Sequence, residues 1–549
     1  MKYRFLFFAT FFFISINAQT KIENNPAAEN KPKLVIGIVV DQMRYDYLTR
    51  FWDKYSENGF KKLINEGYNL KNNHFNYVPT YTGPGHASVF TGATPEVHGI
   101  IGNYWYSRNE EDEVYCAGDE NVAPVGTSSS AGKMSPHRML TTSIADENRL
   151  HTQMRGKTIG VALKDRGAIL PAGHTANAAY WFHGKDEGKF ISSTHYLQNL
   201  PNWVKQFNKS GIAKSYLKEW NTLYDIASYV ESGEDKNLYE GGFDGKEFAT
   251  FPYDLNSLKN QNNGFDILKA VPYGNSLTLD FALAAIDGEA LGQDEFTDFL
   301  TLSFSSTDYV GHNFGVNSKE VEDTYLRLDK DIARLLKELD KRVGKGNYTI
   351  FLTADHAGVH VPAYLKSLKI PAGLFSFSEF QEFLNEKIMD SFGSSDLIEE
   401  ISNNQVFFDY EKIAEAKIDI ENLEKMTARF ALQFPHVNKV FTRSQMTSGS
   451  FTKGISNAIQ NGFHQKRSGD LIIELEPSTI SYSKTGSTHG SGFNYDTHVP
   501  LIFYGNGINR GSSFERTEIT DIAPTIAALL GISFPSGSTG NPLIMVLAK

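Results

Sequence analysis

The 549-residue chain has a single cysteine, Cys116, so no disulfide can form within it. Its stability must come from a packed core and not from covalent staples. Positive charge is also scarce: 53 Lys and Arg face 64 Asp and Glu, for a formal net charge of −11. No long basic run compensates, which argues against nucleic acid as a partner. An anionic substrate would have to be held by local cations, either bound metals or a few placed Lys and Arg. Beyond the first residues no apolar run reaches transmembrane length, and no fixed-period repeat is present. What remains is an ordinary globular composition, 40% hydrophobic and 21% charged.

The opening MKYRFLFFATFFFISINAQT carries Lys2 and Arg4, then an apolar run from Phe5 to Ile16, then the small Ala18 before Gln19. This reads as a secretory signal peptide over residues 1–18, followed by a polar linker over 19–32. An exported chain of this size without disulfides fits the bacterial periplasm first, with no membrane anchor in the mature form.

Leu34–Asp41 (LVIGIVVD) is a continuous β-branched run ending in a carboxylate, the pattern of a strand buried on both faces. Similar runs recur at Thr158–Asp165, Asp298–Asp308, Asn347–His356, Leu471–Pro477 and Val499–Gly505. Between them, Ser318 to Leu339 places Val321, Tyr325, Leu328, Ile332, Leu335 and Leu339 on one helical stripe. Strand, helix, strand predicts an α/β fold with a mainly parallel central sheet flanked by helices. The core is expected over 33–365 and again over 466–549. An insertion near 175–295 and a cap subdomain over 366–465 are expected above the carboxyl ends of the strands, where α/β sheets place their sites.

Three of the expected strands end in acid or acid-plus-histidine groups: Asp41, then Asp308 with His312, then the pair Asp355–His356. His489 follows in KTGSTHGSG. Asp308 and His312 are four apart, so one helical turn would put both side chains on one side. Each group alone is weak, since Asp at a strand end is often only a cap or turn former. Together, six carboxylate and imidazole ligands suit two divalent ions, three each, with Zn²⁺ favoured for hydrolysis and Mn²⁺ the alternative.

In chain order, Asp41, TYTGPGH at residues 80–86, Asp308-x-x-x-His312, Asp355-His356 and the THG at His489 resemble the alkaline phosphatase superfamily over about residues 33–549. The resemblance implies one zinc held by Asp308, His312 and His489. It implies a second held by Asp41, Asp355 and His356 together with the nucleophile, which by position is Thr82. The glycines at 83 and 85 permit close backbone approach, and Pro84 suits the first turn of a helix from His86 to Phe90 aimed at a phosphate.

The sulfatase branch needs a Cys or Ser in a C/S-x-P-x-R motif, which Thr82-Gly83-Pro84-Gly85-His86 lacks. Nucleotide pyrophosphatases and phosphodiesterases share the Thr and the following Asn, here Asn103. Lys164 and Arg166 in VALKDRGAILPAGH are the discriminating pair, because a monoester dianion offers three non-bridging oxygens to such cations. Two apart at a strand end, they are expected to point the same way. Thr, Asn, Lys and Arg in these places resemble the phosphate-irrepressible alkaline phosphatases. That resemblance implies a di-zinc hydrolase of small-molecule phosphate monoesters acting through a phosphothreonine, with Asn103, Lys164 and Arg166 on the phosphate. No Mg²⁺ requirement is expected, since Lys164 would stand in the magnesium region, and a monomer is the working expectation. The rival readings are a phosphodiesterase or nucleotide pyrophosphatase on the same core, and an exported metal-binding protein without catalysis.

Overall fold

The structure is a computed structural model and describes residues 31–548. The signal peptide expected over 1–18, and all but the end of the linker, lie outside the described residues.

Ten strands form one central sheet. In chain order they are β1 (Leu34–Val40), β2 (Tyr68–Leu70), β3 (Pro124–Val125), β4 (Thr158–Ala162) and β5 (Ala178–His183). Then come β6 (Lys189–Ser193), β7 (Asp298–Phe304), β8 (Tyr348–Thr353), β9 (Leu501–Gly505) and β10 (Gly511–Ser513). Their order across the sheet is β10-β2-β9-β8-β1-β7-β4-β5-β6-β3. The middle five strands, β8-β1-β7-β4-β5, are parallel, and β9 and β6 turn antiparallel on either side. The expected fold class is the observed one.

Every residue of β1, β7 and β8 is buried, which is why these strands read as unbroken apolar runs and not as alternations. Five helices matter for the site: α1 (Thr82–Thr91), α2 (Asp165–Ala172), α3 (Tyr273–Glu289), α4 (Ser306–Phe314) and α5 (Lys319–Leu339). The stripe on α5 is buried as predicted, and Ser318 caps its start by accepting from the Val321 N–H.

Register places the site. Val39 lies beside both Ser303 of β7 and Thr353 of β8, and Ser303 lies beside Ala162 of β4. Four parallel strands thus end level, and the residues just past each end, Asp41, Lys164, Asp308 and Asp355, meet although far apart in sequence. At Gly37, in the middle of β1, a Cβ would come within 2.5 Å of the Phe351 ring and 2.7 Å of the Phe90 ring. Its absence lets α1 press against the sheet and sets the height at which Thr82 emerges.

Two boundaries differ from the expectation. Within 175–295, β5 and β6 belong to the central sheet and α3 packs on it, so only the irregular stretch between them stands apart. That stretch is anchored by a ring cluster of Trp220, Phe243, Phe251 and Tyr253 against Phe314 of α4. The run Leu471–Leu475, expected as a core strand, lies instead in a separate antiparallel sheet with Ile398–Ser402, Gln405–Phe408 and Val437–Thr442. An apolar run cannot by itself say which of two cores it enters. This sheet and the helices Phe377–Phe392 and Ile420–Ala431 share their own core, including Phe380, Leu384, Val406, Leu423 and Ile473. The cap therefore continues past residue 465.

Candidate active site

Thr82 is the first residue of α1, with Tyr81 as N-cap, so the helix starts one turn earlier than the sequence suggested. Its side chain is 1% exposed, with Oγ1 3.3 Å from Lys164 Nζ and 3.5 Å from His356 Nε2. The rival hydroxyls have other partners. Thr80 donates to Ser491 O, Thr91 donates to Ala87 O, and Ser88 Oγ lies 2.9 Å from His98 Nε2. Gly85 packs so tightly that a Cβ would sit 2.2 Å from Asp355 O. The helix of the candidate nucleophile and the loop carrying two candidate ligands are thereby held in direct contact.

The candidate ligands come together in two overlapping clusters. Asp308 and His312 share α4, with His312 Nε2 3.1 Å from Asp308 Oδ1, and His489 Nε2 lies 3.7 Å from the same oxygen. On the other side His356 Nε2 lies 3.5 Å from Asp41 Oδ1 and 3.5 Å from Asp355 Oδ2. The tightest grouping on that side is Asp41, Asp308 and His356, so Asp308 reaches toward both clusters.

Whether this set suits metal can be tested on the hydrogen bonds. His312 Nδ1 faces Ser487 O at 2.7 Å, His489 Nδ1 faces Thr80 O at 2.7 Å, and His356 Nδ1 faces Ala357 O at 2.9 Å. A carbonyl can only accept, so each Nδ1 carries a proton, which leaves each Nε2 able to offer its lone pair to a divalent ion held between it and the carboxylates. Burial also holds the His356 and His489 imidazoles below their ordinary pKa, in the neutral form. Asp41 Oδ1 is fully buried with no hydrogen bond among the described residues, and it lies 3.5 Å from His356 Nε2. A buried carboxylate oxygen without a hydrogen bond, set among carboxylates and imidazoles with Nε2 turned inward, belongs to a donor set that suits a divalent ion. Burial, then the Asp308 and Asp355 carboxylates, push Asp41 well above the usual carboxylate range, which marks how much negative charge is crowded there.

Lys164 and Arg166 depart from the expectation. Lys164 is the extended N-cap of α2 and Arg166 lies in its first turn, so only the first of the pair is on extended backbone. Lys164 Nζ is 2.7 Å from Asp41 Oδ2, 2.5 Å from Asp308 Oδ2 and near Thr82. Burial opposes its charge, but the Asp308 and Asp41 carboxylates outweigh that and raise its pKa. Arg166 instead donates to the Tyr115 hydroxyl at 3.1 Å, and its Nε is buried without a partner. Asn103 Oδ1 accepts from the Gly83 N–H at 2.7 Å, which turns its Nδ2 away from that contact as a free donor.

Several supporting residues were not singled out from the sequence. Gln42, at φ 62, donates from Nε2 to Asp308 and from its backbone N–H to Asp355. It ties the two clusters together from a left-handed turn that a glycine-free sequence does not announce. His86 faces Thr82 O and lies 3.3 Å from Asp355 Oδ2. Tyr115 joins Arg166 to Asp165. Its place on a ribbon opposite Tyr104, next to Asn103, was the only signal.

A mainly parallel α/β core with an acid and imidazole donor set at its strand ends, and a helix-initiating threonine between, is the architecture of the alkaline phosphatase superfamily. Within it, the chain belongs to the type I phosphodiesterase/nucleotide pyrophosphatase family, whose profile matches residues 35–499. It is similar to alkaline phosphatase PafA of Elizabethkingia meningoseptica, 45% identical over 94% of this chain and 95% of the relative. A protein of Myroides odoratus named calcium-transporting ATPase is 45% identical over 97% of this chain and 96% of the relative. The crystal structure of PafA matches with a TM-score of 0.91 at 44% identity, covering 94% of this chain and 99% of that one.

Proposed function

We propose that this chain is an exported alkaline phosphatase that hydrolyses phosphate monoesters through a covalent phosphothreonine at Thr82. The enzyme class rests on the likeness to alkaline phosphatase PafA over nearly the whole of both chains. The mechanism rests on one observation: a single buried hydroxyl, Thr82 Oγ1, starts a helix beside Lys164 Nζ and His356 Nε2.

Asp308, His312 and His489 would hold one zinc ion, and Asp41, Asp355 and His356 the other. When bound, the two ions would supply Lewis-acid stabilisation of charge on the phosphoryl, attacking and leaving oxygens. Thr82 Oγ1 attacks phosphorus in line, forming the phosphothreonine as the bond to the leaving alcohol breaks. Water then displaces the threonine oxygen, restoring the hydroxyl and releasing inorganic phosphate. Asn103 Nδ2, Lys164 and Arg166 donate to the non-bridging oxygens, where transition-state charge is greatest. The N–H groups at the start of α1 add to this.

The family description favours a second reading, hydrolysis of diesters or nucleotide pyrophosphates. Lys164, nearly fully buried between both clusters, argues for the monoester, since it provides charge for a dianion. One kinetic comparison separates them. Monoester kcat/KM should exceed diester kcat/KM in the wild type. It should fall about 10³-fold or more in Thr82→Ala, where the nucleophile is lost. In Lys164→Ala it should fall about 10²-fold for the monoester and less for the diester. Full monoester turnover by Thr82→Ala would remove the nucleophile from this account. The name of the Myroides odoratus relative concerns transport; among the described residues no helix is long and apolar enough to cross a membrane. Export is tested by the N-terminal residue of the mature protein, expected at Gln19.

A further inference from the structure

A second feature lies where cap meets core. A cavity of about 160 Å³ opens between them, bounded on the core side by Tyr81 and by the segment from Thr488 to Gly490, which carries His489. On the cap side it is bounded by the tip of the hairpin Ile398–Phe408 and by the end of the strand Leu471–Leu475. The hairpin tip is placed firmly: Asn403 and Asn404 both take positive φ, and Asn403 Nδ2 donates to Tyr104 O, next to Asn103.

The lining has a definite chemistry. Glu474 is 3% exposed, and its side chain makes no hydrogen bond or ion pair among the described residues. Asp496 is 1% exposed; its Oδ2 accepts from the Ser491 N–H and hydroxyl, while Oδ1 is buried with no partner. Four aromatic rings, Tyr81, Phe377, Phe493 and Tyr495, share the wall, and no Lys or Arg does. A buried carboxyl without a partner is costly, and two in one cavity repel each other when ionised. Burial, with the Asp496 carboxylate adding to it after Lys439 is set against it, holds Glu474 up to about 8. Carboxyls with aromatic faces and no cationic side chain make a site that attracts positive charge and rejects anions.

We propose that this cavity is the leaving-group subsite, and that Glu474 selects phosphate monoesters of amino alcohols, whose leaving group carries an ammonium. This rests on the phosphatase reading above. An in-line displacement expels the leaving oxygen on the side away from Thr82, toward the cluster of Asp308, His312 and His489. A substituent two carbons beyond that oxygen then passes His489 and meets the carboxyls and rings. The volume admits a small amino alcohol, and the chemistry disfavours a leaving group that is itself a phosphate.

The test compares phosphoethanolamine with glycerol phosphate as substrates of the full-length mature enzyme at about pH 9, where Glu474 is ionised and the amine still carries its proton. The expected result is a kcat/KM ratio of roughly tenfold in favour of the amino alcohol ester. Glu474→Gln, which keeps the shape and removes the charge, should bring that ratio to about one. Because the readout is a ratio within each protein, a general loss of activity in the variant cancels. A wild-type ratio near one, or a preference that survives Glu474→Gln, overturns the subsite while leaving the phosphatase reading standing. Hydrolysis of neither ester, together with no turnover of an aryl phosphate, sinks the phosphatase reading and the subsite with it.

Discussion

The two donor clusters use the same residue types but stand in different surroundings. Asp41, Asp355 and His356 are 0% exposed, locked between β1, β8 and the glycine-tight start of α1. In the other cluster the His312 side chain is 25% exposed and stacks on Tyr482, itself 41% exposed. The dry side is the one that adjoins Thr82, where a fixed attacking geometry and low dielectric contribute most. In the proposed mechanism the alcohol departs toward the wetter side, where access to solvent would help product leave. On the proposed mechanism, the site divides into a dry half that would present the nucleophile and a more open half that would release the product.

The comparison can be broken most directly at the ligands. Asp355→Asn should lower monoester kcat/KM by about 10²-fold or more and remove about one equivalent of metal, while His312→Asn should cost about tenfold. Metal analysis and kinetics on the two purified variants check this, and equal losses would erase the distinction. A smaller effect sharpens it. Treatment of the metal-loaded enzyme with a chelator should release metal in two phases, the first about ten times faster and slowed little by mutations at Asp355. A single phase would mean the two clusters exchange alike. The smallest effect is expected of Tyr482→Ala, which removes the ring covering His312. It should speed the fast phase and change kcat/KM by about threefold.

The sequence announced the strand-end acids because burial on both faces leaves an uninterrupted apolar run, and a carboxylate closing such a run stands out. Asp41, Asp308 and Asp355 were legible for that reason, and Thr82 through the glycines around it. Residues placed by tertiary contact were not. Gln42 works through a left-handed backbone conformation that its side chain does not encode. Lys164 and Arg166 were read as neighbours on extended chain, but α2 begins between them, and the partners each one takes, Asp308 for Lys164 and Tyr115 for Arg166, were not legible. The strand Leu471–Leu475 has the apolar character of a core strand and pairs in the cap, because partner choice depends on long-range register and not on local pattern.

The three imidazoles owe their tautomer to Thr80, Ala357 and Ser487, yet to no side chain of those residues. Each acceptor is a peptide carbonyl, which every amino acid supplies. No single substitution at those positions deletes the acceptor, and no change of pH titrates it. The orientation of the imidazoles is therefore inherited with the course of the main chain, and the side chains at 80 and 487 serve it only indirectly, by holding that main chain through bonds to Ser491 O and Val359 O.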